Sequence, residues 1–284
     1  MKLATFQVDD GISWGAVTDK GIIDLGKKSG ITDIKQGLKE GVRHLEEFLS
    51  GDTDWSAADV KFLPPILDSS HIIGIGLNTK SHFEETAELM GREPGVYPKF
   101  PRLFMRSPFS YVGHQQPMLV PSTSSYLDYE GEIAIIIGKE GRNIDKNNAL
   151  EHIGGYSCFN DGSIRDYQMH SNQVTAGKNF ASSGAFGPWL LTADEVSDPN
   201  NLSLTTRVNG EVRQRLEMDD LIFSFAELIS YISQIFPLQV GDVILTGSPE
   251  GVGAISNRWL QQGDTVEVTI PQIGTLCNPI QQDN

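Results

Sequence analysis

The stretch Leu127-Asp128-Tyr129-Glu130-Gly131-Glu132 runs straight into an isoleucine-rich segment ending at Gly138. If it forms a β-strand, Glu130 and Glu132 share one face, while Ile133, Ile135 and Ile137 share the other. Two carboxylates on one covered face repel each other and lose hydration, and a divalent cation removes both costs. All-oxygen ligation suits magnesium, manganese or calcium rather than zinc. The competing reading is a solvated Glu face, but Ala134 and Ile136 continue that face as apolar residues, which argues against plain exposure. Asp161 closes the next apolar stretch, where a strand-end carboxylate serves either as a ligand or as a turn cap. Arg165 follows it, with a guanidinium fork that matches a carboxylate. Lys178 is the one charged residue in 174–193, set among Gly, Ala, Ser and Phe, which singles it out from ordinary surface lysines. His82 and Glu85, three apart on an expected helix, face the same way and suit either a general base for water or a surface pair. Gly74-Ile75-Gly76 lacks the third glycine and the following apolar helix of a dinucleotide fingerprint.

These groups need elements to hold them. Short strands are expected at 3–8, 12–17 and 21–24, parted by Asp-Gly and Asp-Lys-Gly turns, then an amphipathic helix over 32–49. Pro64-Pro65 closes this part, and a boundary near residue 65 divides a small N-terminal α/β domain (1–65) from a catalytic domain (66–284). An apolar run at 72–77 leads into a polar helix over 80–90. Residues 91–101, rich in Pro and Gly, are expected to form an irregular loop, and the His82–Glu85 pair just before it is placed like part of a lid that closes over a site. Strands are expected at 130–137, 155–160 and 202–208, the last turning at Asn209-Gly210 into a return strand over 211–215. Ser224 and Glu227 make a capping box for a helix that Pro237 stops. Strands at 243–246 and 265–270, with a loop at 247–253, finish the chain. Strands outnumber helices without regular alternation, so the class is α+β, mainly β.

The totals narrow the functions. The chain has 284 residues, 39% of them hydrophobic and 21% charged, which is ordinary for a folded protein. With 22 Lys and Arg against 37 Asp and Glu, its net charge of −15 disfavours a nucleic-acid partner. An anionic substrate would need a local cation. No stretch has the length of a membrane span or of a signal-peptide core, and the two cysteines form no metal or disulfide pattern. A reducing cytoplasm is the expected compartment.

Over roughly residues 70–270 these motifs, in this order, resemble the fumarylacetoacetate hydrolase family. They are Gly76-Leu77-Asn78 with His82 and Glu85; Asp128-Tyr129-Glu130-Gly131-Glu132; Asn160-Asp161 with Arg165, Asp166 and Gln168; Gly177-Lys178; Gly187-Pro188-Trp189; Val208-Asn209-Gly210; and the run from Gly241-Asp242 through Thr246-Gly247 to Gly253. The resemblance implies a mixed β-roll, commonly a homodimer, and a divalent metal held by Glu130, Glu132 and Asp161. Magnesium is the first expectation, with manganese or calcium as alternatives. It implies that Lys178 stabilises enolate charge, that His82 and Glu85 activate water, and that Arg165, Gln168 and Thr246 surround the pyruvate-like end of a keto-acid substrate. The implied reaction is hydrolysis of a C–C bond in a 2,4-dioxo acid, such as fumarylpyruvate or a diketo-deoxy sugar acid, through a metal-stabilised pyruvate enolate. Decarboxylation, isomerisation or hydration of an oxo acid is the alternative. Three departures stand out: Thr79 for the usual Tyr, Arg106-Ser107-Pro108 for Lys-Pro, and the long insert at 91–101. All three are read as changes at the substrate end that leave the metal site untouched.

Overall fold

The strand Gly131–Ile137 is buried along its whole length, and its two faces serve two different apolar clusters. Ile133, Ile135 and Ile137 pack with Leu204, Leu216, Val266 and the helix residues Leu228 and Ile232. Ala134 and Ile136 pack with Trp14, Ile34, Leu38 and Leu45. The alternation read from the sequence is therefore present, but neither face meets water. The structure, a computed structural model, describes residues 1–9, 11–87 and 91–283.

Among the described residues an eleven-stranded mixed sheet forms the centre. Its main path runs through Gly21–Asp24, Gly11–Thr18, Lys2–Val8, Gly184–Thr192, Ile153–Asn160, Gly131–Ile137, Val243–Leu245, Ile72–Gly76 and Arg102–Met105. A second sheet of five strands, from Glu211–Glu217 through Ser203–Val208, Thr265–Ile270 and Gly274–Gln282 to Met118–Val120, contributes to the first apolar cluster. The α+β, mainly β class is the class observed.

Most expected elements are present, and the differences have local causes. The helix expected over 32–49 is two short ones, Ile34–Glu40 and Val42–Glu46, broken where Gly41 takes a positive φ of 95°. The helix expected over 80–90 is described as Lys80–Glu85, and its expected end at 88–90 lies outside the described residues. Gly184–Thr192 and Gly274–Gln282 are strands that the reading did not anticipate, because Pro188 and Pro279 interrupt their patterns. The Asn209-Gly210 turn has both residues at positive φ, 52° and 79°, as a tight hairpin requires.

The N-terminal segment is hydrogen-bonded into the large sheet, with Lys2 opposite Leu191 and Leu3 opposite Leu190. Its Trp14 is buried, with Nε1 donating to the Ile31 carbonyl at 2.8 Å. On this footing residues 1–65 are proposed as a covering unit for a catalytic unit of residues 66–284. A chain starting at residue 66 would leave Ala134, Ile136 and Phe159 without their cover. Such a chain is expected to bind the dye ANS and to lose near-UV circular dichroism, which fluorescence and CD of the two lengths would check.

Candidate active site

Sheet register brings the three carboxylates together. Gly131 pairs with Asn160 and Glu132 with Phe159, and the Asp161 N–H donates to the Glu130 carbonyl at 2.8 Å. One oxygen each from Glu130, Glu132 and Asp161 lies within 4.8 Å of the others, and all three residues are buried.

Cations meet two of the three. Lys178 Nζ donates to Glu130 Oε2 at 2.6 Å and to Asp161 Oδ2 at 2.5 Å. Arg165 Nη1 meets Glu130 Oε1 at 2.7 Å, and Arg106 Nη1 meets Asp161 Oδ1 at 2.5 Å. Burial alone would push the Glu130 carboxyl up, but Lys178 and Arg165 overcome it and hold the group well below the usual carboxylate range. Glu132 has no such partner among the described residues. Its Oε2 accepts the Gly247 N–H at 2.6 Å, while burial first, then the charges of Asp161 and Glu130, push its carboxyl well above the usual range. A divalent ion fits this arrangement: it would take the place of the Glu132 proton and join three buried oxygens of a hard donor set.

Local sequence explains how the cations arrive. Lys178 ends the short helix Thr175–Lys178, where a Cβ on Gly177 would lie 2.5 Å from Gln168 Cβ. Only glycine lets this segment lie against the helix Arg165–Gln168. Arg165 is aimed by Asp128, whose Oδ2 accepts its Nε at 2.8 Å. The same carboxylate accepts the N–H groups of Gly253 and Ala254 at 2.7 and 3.0 Å. Gln168 Oε1 accepts from Arg165 Nη1 at 2.9 Å. Arg165 Nη2 is buried and has no partner among the described residues.

His82 and Glu85 lie on the helix Lys80–Glu85, which Thr79 caps. His82 Nδ1 is 2.9 Å from Glu85 Oε2, and Glu85 Oε1 accepts the Gly251 N–H at 2.9 Å. The carboxylate assigns the proton to Nδ1 and leaves Nε2 as the free basic nitrogen. A cavity of about 700 Å³ is lined by His82, Glu130, Glu132, Arg165, Gln168 and Lys178, with Phe104, Met169, Ile255 and Trp259 adding apolar wall. Eight of the nine residues singled out from the sequence thus gather at one place, with Glu85 behind His82 and Asp161 fully buried. Thr246 is set further back. Its hydroxyl donates to the Ile133 carbonyl at 2.9 Å, and it does not line the cavity.

Two contributors went unassigned in the sequence. Asp128 had a signal, since it shares strand parity with Glu130 and Glu132. Arg106, expected as a substrate-end departure that leaves the metal ligands untouched, instead donates directly to Asp161. No local pattern could have shown this, since 55 residues separate the two.

The sequence pattern of the fumarylacetoacetate (FAA) hydrolase C-terminal family matches residues 71–281. An oxaloacetate tautomerase of Bacillus subtilis is 40% identical over 236 residues, covering 81% of this chain and 76% of the relative. The crystal structure of a 5-carboxymethyl-2-hydroxymuconate delta-isomerase from Mycobacterium smegmatis, 32% identical, superposes with a TM-score of 0.79 over all of both chains. Maleylpyruvate hydrolase from Sphingobium sp. SYK-6, solved with manganese(II) and pyruvate, is 27% identical with a TM-score of 0.83, again over all of both chains.

The raised Glu132 carboxyl has a consequence for pH. In the metal-free protein the folded state keeps a proton that the unfolded chain releases, so stability falls as pH climbs from the ordinary glutamate range to the raised value. Manganese binding is expected to release this proton and to weaken toward acid pH by up to about tenfold per unit. Titration calorimetry in two buffers of different ionisation enthalpy checks the proton count, and Glu132→Gln should abolish both the proton release and most of the affinity.

Proposed function

The chain belongs to the fumarylacetoacetate hydrolase family of enzymes, and from that premise we propose that it moves a proton between carbon and oxygen of a short 2-oxo diacid of the oxaloacetate kind. The observation that carries this reading is Arg165, which lines the cavity with His82 and whose buried Nη2 has no partner among the described residues. A buried guanidinium nitrogen left unpaired is costly, and a substrate carboxylate satisfies it. Glu130, Glu132 and Asp161 would hold a divalent ion, magnesium first, which when bound supplies the Lewis acid that makes the carbon beside the 2-oxo group acidic. His82 takes that proton at Nε2. Glu85, fixed by Gly251, stabilises the imidazolium while the proton is carried to the other atom. Lys178 offers its ammonium to the oxyanion that develops. Phe104, Ile255 and Trp259 line the apolar side of the cavity.

A second reading, hydrolysis of a C–C bond in an acylpyruvate-type 2,4-dioxo acid, is favoured by cavity size. About 700 Å³ lies within the range of pockets that take drug-sized ligands and exceeds what a four-carbon diacid fills. In that reaction the His82–Glu85 pair would deprotonate water for attack on the distal carbonyl, expelling a pyruvate enolate. We place the enzyme in a reducing compartment, a reading that the free cysteines Cys158 and Cys277 support, and expect a homodimer. No helix among the described residues is long and apolar enough to cross a membrane.

The test follows decay of the enol absorbance of oxaloacetate, with and without chelator, beside acylpyruvates and fumarylpyruvate. Accelerated interconversion that chelation abolishes is expected, with His82→Ala lowering kcat by about 10²- to 10⁴-fold. Unchanged interconversion together with cleavage of an acylpyruvate would replace the first reading with the second. Release of carbon dioxide from oxaloacetate would assign decarboxylation instead.

A further inference from the structure

We propose that Arg106 is a positioning residue for metal binding: it pins Asp161 Oδ1, so that the other oxygen, Oδ2, is the one turned toward Lys178 and Glu130. This inference rests on the reading of Glu130, Glu132 and Asp161 as metal ligands. Arg106 does not line the cavity and its side chain has no exposed surface, so it acts through Asp161 rather than on a substrate.

Its seat is built for a fork. Nη1 donates to Asp161 Oδ1 at 2.5 Å and to the Gly162 carbonyl at 3.0 Å. Nη2 donates to the Ser110 carbonyl at 2.9 Å and to Ser183 Oγ at 3.3 Å. Nε donates to Ser110 Oγ at 3.0 Å. The guanidinium lies over the Phe159 ring at 5.7 Å from its centre. Gly184 leaves room for it, since a Cβ there would come within 2.8 Å of Nη2 and 2.9 Å of the Asn160 carbonyl. Each nitrogen is thus held from a different side, and the plane that results fixes the Asp161 carboxylate about its last rotatable bond. Lys178, on the opposite oxygen, is a flexible stem with a point charge and can give way to an ion; the five-bond fork cannot. A lysine at position 106 would keep the charge but could not span Asp161 and Ser110 together.

Charge and orientation are separable by experiment. Arg106→Lys keeps the positive charge near the ligands and removes only the fork. Groups that hold a ligand in place are commonly worth about 10- to 100-fold in metal affinity. The manganese(II) Kd, read from the EPR signal of free ion well below the melting temperature, is therefore expected to rise by about 10- to 100-fold in Arg106→Lys. Ser110→Ala, which removes the Nε acceptor and leaves Arg106 and Asp161 in place, should raise it several-fold. A purely structural Arg106 would lower Tm and leave the Kd of the folded protein alone. If Arg106→Lys does not fold, Ser110→Ala decides. A Kd within twofold of the unaltered protein in whichever variant decides overturns the proposal, while manganese binding by the unaltered chain, lost in Glu132→Gln, leaves the metal reading standing. An unaltered protein that binds no manganese overturns both.

Discussion

Three carboxylates buried within 4.8 Å of one another are the constraint to which the rest of the molecule answers. Unpaired, such a cluster would be strongly unfavourable, because burial removes the hydration of each charge while leaving their repulsion unscreened. The chain offsets this with cations from three separate segments: Arg106 before the central strands, Arg165 just after Asp161, and Lys178 beyond it. The compensation is deliberately incomplete in one place. Among the described residues Glu132 meets only a backbone N–H, and burial first, then the charges of Asp161 and Glu130, raise its carboxyl, so this is the position where a divalent ion would offset most. A fourth protein cation there would leave a divalent ion less to offset.

Such a cluster also needs a frame that cannot slip. Glu132 lies on one strand and Asp161 just past the end of its antiparallel neighbour Ile153–Asn160, and a shift of one residue would turn Glu132 away from its partners. Because Gly131–Ile137 is buried on both faces, that shift would also exchange Ala134 and Ile136 with Ile133, Ile135 and Ile137 between two different clusters. The packing of the N-terminal segment on one face and of the five-stranded sheet on the other therefore fixes the carboxylate cluster from a distance. Thr206, Leu204 and Gly131 show how close the fit is: a Cβ on Gly131 would come within 2.0 Å of Thr206 Oγ1.

Much of this was legible in the sequence wherever the relevant contact is local or periodic. Strand parity put Glu130 and Glu132 on one face, the capping box gave the helix Phe225–Ile235, and Asn209-Gly210 gave its hairpin. The order of the motifs supplied Asp161, Arg165, Gln168, Lys178 and the His82–Glu85 pair. What escaped were contacts made across the fold. Arg106 reaches Asp161 from another strand region, and nothing near Arg106 in the chain reports it. Thr246 has the right place in the motif, yet its hydroxyl turns back to the Ile133 carbonyl, a choice set by the neighbouring strand and invisible to spacing. Strands carrying Pro188 and Pro279 were missed because proline lowers the propensity signal even where tertiary pairing overrides it.

One loop joins the charged cluster to the His82–Glu85 pair. The helix Lys80–Glu85 is six residues long, too short to be stable alone, so tertiary hydrogen bonds must hold it. Asn78 anchors its start through Nδ2 to the carbonyls of Phe223 and Thr246, Thr79 Oγ1 donates to the Ser248 carbonyl, and Glu85 accepts the Gly251 N–H. The same loop, residues 247–254, gives the Gly247 N–H to Glu132 and the Gly253 and Ala254 N–H groups to Asp128, which aims Arg165. Gly247 and Gly251 take positive φ values of 99° and 90°, and a Cβ on either would strike backbone or side chain at 2.7 and 2.0 Å. Their conformation is what lets successive N–H groups point at acidic residues on different elements. The His82–Glu85 pair, Glu132 and the Asp128 that aims Arg165 are thus set by one stretch of backbone, so a change that displaced the loop would move all three together. The chemistry of the site depends on that shared support as much as on the side chains themselves.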